Sequence, residues 1–159
     1  MNANNQALES TTELNFELYF VTEVLRLRSL HYGYWDEPRA NDGVDLEEMK
    51  HAQARFTERL VSFVPPSVKS VLDVGAGIGD NAHALSQLGL RVTAISPDRN
   101  HERYFVEEND PNVSFTRSTF EAFETSEQFD LVLFSESHRY FDRRFGLERA
   151  RQLLRPGGH

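Results

Sequence analysis

The sequence predicts an α/β protein, in which a parallel β-sheet carries helices on its faces and a helical cap precedes it. Two observations predict this class. Short apolar runs alternate with helical patterns from residue 70 onward, whereas the residues before 66 show helical spacing alone. The glycine-rich stretch VLDVGAGIGD, residues 71–80, joins the first apolar run to a helical pattern, as in a strand–turn–helix unit.

The chain divides into three predicted parts. Residues 1–12 are polar, and we expect them to be disordered. Residues 13–66 form the expected cap, and residues 67–159 form the α/β domain.

Two helices are predicted in the cap. The first is indicated by apolar residues at helical spacing: Phe16, Phe20, Val24 and Leu27. Asp45 and Glu48 make a capping box for the second helix, and Pro65-Pro66 ends it. Its predicted apolar face is Met49, Ala52, Phe56, Leu60 and Phe63. The intervening residues 31–44, HYGYWDEPRANDGV, are predicted to be a loop because glycine and proline interrupt them.

The remaining elements of the predicted α/β domain alternate. Strands are expected at 70–74, 90–95, 113–117 and 129–135. Helices are expected at 81–88, 98–108 and 143–154, and Gly89 is the expected stop of the first. Residues 119–125 form a loop that can include a short helical turn. The last strand, FDLVLFS, is the most apolar and is typical of a central parallel position.

Composition excludes several classes of function. The 159 residues carry a net charge of −8, with 17 basic and 25 acidic residues, so we expect no nucleic-acid partner. Cysteine is absent, which excludes disulfides and fits a reducing compartment. A polar N-terminus and the lack of a long apolar run predict neither a signal peptide nor a membrane span, so we expect a cytoplasmic protein without a membrane partner. The six histidines lack ligand spacing, so no metal is expected.

The glycine turn has a particular spacing. Gly75, Gly77 and Gly79 form GxGxG, with Asp73 at the end of the preceding strand. A dinucleotide fingerprint would need its third glycine where Asp80 stands, and a Walker loop would need a Gly-Lys-Ser/Thr ending. Two interpretations remain: a tight turn without a ligand, or a turn whose backbone a ligand touches.

VLDVGAGIG resembles the first motif of class I S-adenosylmethionine-dependent methyltransferases. Four later stretches follow in the expected order: RVTAISPD, VSFTRSTFEAF, FDLVLFSES and LLRPGG. The resemblance covers residues 68–158. The segments LHYGYWDEP and LEEMKHAQARF are similar to the cap of small-molecule methyltransferases related to cyclopropane fatty acid synthases and tocopherol methyltransferases. The resemblance implies a Rossmann-like sheet, S-adenosyl-L-methionine as cofactor and a small-molecule acceptor.

The resemblance also implies a set of cofactor-binding residues. The methionine and ribose part of the cofactor would be lined by Asp73, Gly75, Ala76 and Gly77. Many relatives end the second strand with an acid that binds the ribose hydroxyls, and this chain does not. Ser96 or Asp98 is the expected replacement, although Asp98 can equally be a helix N-cap.

The adenine and methyl ends of the expected site involve the third and fourth strands. Many relatives have a Gly-Asp pair where this chain has Ser118-Thr119, so the adenine contact is expected from Thr119 and the backbone near Phe120 and Glu121. Glu121 can also be a solvated loop acid. Ser135 is the last residue of the predicted fourth strand and completes the predicted cofactor set.

Two catalytic candidates follow the fourth strand, Glu136 and His138. Methyl transfer to oxygen or nitrogen needs a base, and the unperturbed pKa of histidine lies near neutrality. His138 is therefore the predicted base, with a surface histidine as the alternative. Glu136 is expected to point into the site, because polar side chains rarely turn inward without a partner.

The aromatic stretch HYGYWD has two interpretations. Its rings can fill the seam between cap and sheet. They can instead form a lid, with Tyr32 and Trp35 over the sulfonium and His31 near the methionine carboxylate.

The resemblance implies seven strands, of which four are found here. Without further residues the fourth strand would have an open edge, so we expect a truncated chain, or completion by a partner chain or a homo-oligomer. A naturally short, inactive S-adenosylmethionine-binding or scaffold module is the alternative. The glycine spacing and absent ribose acid disfavour a third class, a nucleotide-dependent oxidoreductase.

Overall fold

The computed structural model describes residues 15–37 and 43–159, so the disorder expected for residues 1–12 lies outside the described residues. Four parallel strands form one sheet in the order β3-β2-β1-β4. They are β1 (Ser70–Val74), β2 (Arg91–Ser96), β3 (Val113–Arg117) and β4 (Leu131–Leu133). The predicted α/β parallel sheet is confirmed. The division into a cap and an α/β domain at residue 66 stays a prediction.

β1 lies inside the sheet, and all five of its residues are buried. Val71 packs into an apolar cluster on one face with Ala82 and Leu85. Leu72 packs on the other face with Phe129 and Phe120. A run that is apolar on both faces is what a strand between two layers of side chains requires.

The helices of the described residues lie close to their predicted positions. They are α1 (Phe16–Tyr19, continued by a π-helical turn Phe20–Val24), α2 (Leu46–Ser62), α3 (Asp80–Gln87), α4 (Glu102–Glu108) and α5 (Arg143–Leu153). The Asp45 carboxylate accepts a hydrogen bond from the Glu48 amide at 2.8 Å and caps α2, as predicted. α4 begins later than predicted because Asp98 closes a local turn, in which its carboxylate accepts from the Asn100 amide at 2.8 Å.

The predicted apolar face of the first helix is wrong at three of its four residues. Phe16 is 70% exposed, and Phe20 and Val24 are exposed as well, whereas Leu18 and Leu27 are buried. A π-helical turn has i→i+5 hydrogen bonds and therefore more residues per turn than an α-helix. Residues four positions apart then no longer lie on one face.

The apolar face predicted for α2 is also only partly buried. Ala52 is buried on it together with a polar neighbour, Gln53, while Phe63 lies beyond the last turn and is exposed. Gln53 is buried because its amide donates to the carbonyls of Ser29 and His31, at 3.1 and 2.7 Å. This amide therefore fixes the chain segment that precedes the aromatic loop.

β4 lies at the side of the sheet and is shorter than the predicted strand 129–135, so the expected central position is not found among the described strands. Its outer edge is partly paired by the chain itself. Phe129 pairs with Leu154, and the Val132 amide donates to the His159 carbonyl at 3.0 Å. The edge expected to be open is therefore occupied in part. Within the described ranges, no helix is both long and apolar enough to cross a membrane.

Candidate functional site

A cavity of about 440 Å³ lies at the carboxyl ends of β1, β2 and β4. Ligands of open parallel sheets bind at this edge, and the volume falls within the range of small-molecule sites, roughly 300–1,000 Å³. The sequence-predicted residues that the structure brings together in its wall are Gly75, Ala76, Gly77, Ser96, Thr119, Phe120, Ser135 and Glu136.

The glycine turn forms the floor of the cavity. The amides of Gly75 and Ala76 both donate to the Ile95 carbonyl, at 2.9 and 3.0 Å, which ties the turn to β2. A Cβ on Gly75 would lie 2.5 Å from the Ser137 Cβ, and one on Gly79 would lie 2.8 Å from the Phe105 ring. Two of the three glycines therefore make room for protein. Gly77 differs, since a Cβ there would meet only Leu30, at 3.4 Å.

Asp73 lies beneath this floor and does not line the cavity. Its side chain is 1% exposed, and neither carboxylate oxygen has a hydrogen-bond partner among the described residues. Burial, and then the nearby Asp80 carboxylate, raise the pKa of Asp73 to about 7. An uncompensated buried acid of this kind occurs more often at functional sites than elsewhere.

The β2 side of the wall contains a hydrogen-bonded acid. One oxygen of Asp98 accepts from the Asn100 side-chain amide at 2.9 Å, and the other accepts from Asn15 at 2.9 Å. Partial burial of Asp98 opposes ionisation, but these hydrogen bonds hold the pKa of the carboxylate below its ordinary value. The Ser96 hydroxyl lies 2.8 Å from Nδ1 of His101, so this hydroxyl already has a partner. Burial lowers the pKa of His101, although Asp98 acts in the opposite direction.

The β3 side combines a cluster of aromatic rings with polar residues. Phe120 is buried and packs against the rings of Phe134 and Phe141. The Thr119 hydroxyl accepts from the Ala122 amide at 3.2 Å and so stabilises the turn after β3. Glu121 belongs to the same wall.

The wall that follows β4 is joined to β1 by a serine and contains one unpartnered hydroxyl. Ser137 is buried, and its hydroxyl donates to the Val74 carbonyl, which joins this loop to the end of β1. The Ser135 hydroxyl is buried without a partner among the described residues. Glu136 lines the cavity and has a left-handed backbone with φ of +61°. His138 is exposed and does not belong to the cavity wall.

The cap closes the cavity above the glycine turn with Leu30 and with His31, the first residue of the predicted lid. Leu30 lies opposite Gly77, and Nε2 of the buried His31 lies 2.9 Å from an Asp80 carboxylate oxygen. Tyr32 is 70% exposed, and neither it nor Trp35 lines the cavity. The structure thus brings His31 to the site and leaves both predicted lid aromatics outside its wall.

Sequence reasoning missed five polar residues of this wall: Asp80, Asn81, His101, Arg139 and Tyr140. The sequence did contain a signal for Asp80. This residue begins α3 and stands where a dinucleotide fingerprint would have its third glycine. His101 had none, since its pairing with Ser96 depends on the turn between β2 and α4. In the described part of the chain, no group of three metal-ligating side chains could hold a metal ion.

A parallel sheet with a glycine turn under a cavity at its carboxyl edge defines an α/β protein with a cofactor site. Residues 71–158 match the family described as Methyltransferase domain, which is more than half of the chain. The chain therefore belongs to this methyltransferase family, and its fold is that of a class I methyltransferase.

Three relatives illustrate the similarity. The 27-O-demethylrifamycin SV methyltransferase of Amycolatopsis mediterranei (strain S699) is 31% identical over 139 residues, covering 82% of this chain and 48% of the relative. The S-adenosyl-L-methionine-dependent Diels-Alderase iliD of Neonectria sp. (strain DH2) is 35% identical over 97 residues, covering 57% and 36%. The glycopeptide N-methyltransferase MtfA, solved with S-adenosyl-L-methionine, superposes with a TM-score of 0.59 at 22% identity, covering 77% of this chain and 57% of MtfA. The chain thus spans about half the length, or less, of these curated relatives.

Proposed function

We propose that this chain binds S-adenosyl-L-methionine in the cavity and transfers its methyl group to a small-molecule acceptor. The observation that carries the proposal is the cavity of about 440 Å³ on the glycine turn of a methyltransferase domain. The wall fits the cofactor chemically, because it offers a charged carboxylate for hydroxyl groups, a cluster of aromatic rings for a base and a floor without side chains.

Each part of the wall is assigned to one part of the cofactor. Gly75, Ala76 and Gly77 hold the methionine end, with Asp73 beneath them. Asp98, supported by Ser96, receives the ribose hydroxyls, since an ionised carboxylate accepts hydrogen bonds and donates none. The remaining residues of the predicted cofactor set also line the cavity: Thr119, Phe120 and Ser135. The roles predicted for Tyr32 and Trp35 stay predictions.

Bound S-adenosylmethionine would supply a methyl group activated by a sulfonium. The residues of the chain then have to align the acceptor, exclude water and receive the proton that the acceptor loses. Glu136 is the proposed proton acceptor, because its residue lines the cavity whereas His138 is exposed and lies outside the wall. His138 keeps its predicted role only if the acceptor reaches beyond the cavity.

Cofactor binding is tested by isothermal titration of the chain with S-adenosylmethionine, using Gly77→Arg and Gly89→Arg. Gly77 and Gly89 have φ of +56° and +79°, so an arginine strains the backbone at both. Only Gly77 lines the cavity. We expect Gly77→Arg to weaken binding at least about 100-fold by filling the floor, and Gly89→Arg to stay within about twofold of wild type. Equal losses in both variants would contradict the assignment of the floor.

A second candidate function is cofactor binding without methyl transfer, as in a binding or scaffold module. It is favoured by the Diels-Alderase relative, whose name describes a reaction other than methyl transfer. The two candidates separate on incubation with S-adenosylmethionine and a panel of phenols, hydroxy acids and amines. Formation of S-adenosylhomocysteine with any acceptor supports the methyltransferase, whereas tight binding without turnover on the whole panel supports the binding module.

We also infer a cytoplasmic location and no nucleic-acid or membrane partner. A chain without cysteine fits a reducing compartment, and its charge of −8 disfavours binding to phosphate backbones. Pairing of a completing chain or a second copy beyond residues 154–159 stays a proposal, which sedimentation of the chain would test. A monomer at all concentrations would contradict the homo-oligomer.

A further inference from the structure

Asn15 makes two hydrogen bonds that join α1 to the cavity wall. Its side-chain oxygen accepts from the Leu18 amide at 3.0 Å and caps the N-terminus of α1. Its side-chain nitrogen donates to an Asp98 carboxylate oxygen at 2.9 Å. One amide therefore connects the first turn of the cap with the acid that follows β2.

The rest of this helix docks on α4 through surface contacts. The Tyr104 hydroxyl donates to Thr22 at 2.9 Å, and Arg103 pairs with Glu23 at 3.1 Å, with about half of each charged side chain exposed. Of these three docking contacts, the one made by Asn15 reaches a residue that lines the cavity. An exposed ion pair such as Arg103–Glu23 contributes little to stability, because solvent screens its charges.

The hydrogen bonds of Asp98 leave limited and defined capacity for a ligand. A carboxylate offers about four acceptor sites. Asn100 occupies one oxygen with two hydrogen bonds, from its backbone and its side chain, and Asn15 occupies one site of the other oxygen. The remaining site lies on the oxygen that Asn15 orients, which is also 3.8 Å from Nε2 of His101. The Asp98 side chain is 27% exposed, and the residue lines the cavity.

We propose that Asn15 is a positioning residue of the cofactor site, which holds Asp98 in the orientation that accepts a ribose hydroxyl. This inference rests on the proposed function, because the ribose is that of the proposed cofactor. Docking of α1 and binding of the cofactor then favour each other, and the coupling is reciprocal. A bound cofactor is therefore expected to strengthen the docking of the N-terminal helix.

Three variants separate positioning from helix stability. Asn15→Ser keeps a helix cap but is too short to reach Asp98, and Asn15→Asp keeps a cap while placing a like charge against it. Glu23→Gln is the matched control, because it removes the charge from a docking contact on the same helix away from the cavity. We expect the affinity for S-adenosylhomocysteine to fall about tenfold in Asn15→Ser, further in Asn15→Asp, and less than about twofold in Glu23→Gln.

An analogue of S-adenosylhomocysteine without the two ribose hydroxyls makes the test specific. Wild type and Asn15→Ser are expected to bind this analogue equally, because the group that Asp98 would receive is absent. Equal losses on both ligands would overturn the positioning role in favour of a general structural one. Wild-type affinity in both Asn15 variants would overturn the inference alone, whereas a wild-type chain that binds neither ligand would overturn the proposed function as well.

Hydrogen exchange provides a measurement without any ligand. Asp98→Ala removes the acceptor of Asn15 and is expected to speed exchange of the amides of residues 16–24 about tenfold, while the amides of β1 stay protected. Unchanged exchange in residues 16–24 would overturn the docking role of Asn15. Slower exchange there on addition of S-adenosylhomocysteine to wild type is the expected reciprocal effect.

Discussion

Two left-handed backbone turns lie side by side in the cavity wall, and they are built differently. The turn after β1 has three residues with positive φ, and all three are glycines: Gly75, Gly77 and Gly79. The turn after β4 has one, and it is Glu136 with φ of +61°. Glycine adopts this backbone without steric strain, whereas other residues do so at a cost of about 1–2 kcal/mol.

The two turns also differ in the contacts that hold them in place. Behind the glycine turn, the backbone is tied to β2 through the Ile95 carbonyl, and Ser137 packs directly on Gly75. Beside Glu136, the Ser135 hydroxyl has no partner among the described residues, and Arg139 and Tyr140 are exposed. A glycine turn without backbone strain suits a constant cofactor, and a strained turn at a non-glycine residue suits the region proposed for a variable acceptor.

The largest expected effect is on the glycine turn. Gly75→Ala would place a Cβ 2.5 Å from the Ser137 Cβ on a backbone with φ of +76°. Strain and overpacking together are expected to lower the free energy of unfolding by about 3–5 kcal/mol in urea denaturation.

The control is Gly89→Ala, which has φ of +79° and no heavy atom within 4 Å of the added Cβ. We expect a loss of about 1–2 kcal/mol there, from backbone strain alone. Similar losses at the two positions would show that the contact with Ser137 does not constrain the wall.

The next effect concerns the acid beneath the same wall. Because the pKa of Asp73 is raised to about 7 in the folded chain, its contribution to stability is present in full below the unfolded pKa of about 3.9 and is lost as the pH rises through about 7. Asp73→Asn removes this titration, although its amide is itself left without a partner. At pH 8 we expect the variant to unfold with a free energy about 2 kcal/mol higher than wild type, and at pH 4 with no gain.

Urea denaturation at the two pH values measures this prediction. Parallel pH profiles of the variant and wild type would mean that Asp73 is compensated in the folded chain. S-adenosylmethionine carries an ammonium and a sulfonium, so a bound cofactor that stabilises the Asp73 carboxylate should reduce the difference at pH 8.

The sequence predicted the features that depend on local signals and missed those that depend on packing. β1 and β3 have the predicted bounds, because short apolar runs between turn residues are local signals. The glycine spacing marked the floor of the cavity for a similar reason. The apolar face of α1 could not be predicted, because a π-helical turn changes which residues share a face.

The lid position and the Asn15–Asp98 hydrogen bond were beyond sequence reasoning for another reason. Asn15 and Asp98 are separated by 83 positions, and only the docked helix brings them together. Likewise, Leu30 rather than Tyr32 covers Gly77, because Gln53 holds the carbonyls of residues 29 and 31 on α2. Contacts of this kind depend on how elements pack, and a single sequence does not encode them in any local pattern.

The smallest expected effect is on the strained wall. Glu136→Gly relieves a left-handed backbone at φ of +61° but adds freedom to the unfolded chain, so the expected net gain in unfolding free energy is only about 0.5 kcal/mol. Glu136→Gln keeps the strain and is expected to stay within about 0.5 kcal/mol of wild type, which makes it the matched control. Paired urea titrations of the two variants measure the difference. A loss of more than about 1 kcal/mol in Glu136→Gly would mean that the glutamate side chain supports the wall, and the contrast between the two turns would then be one of residue type rather than of strain.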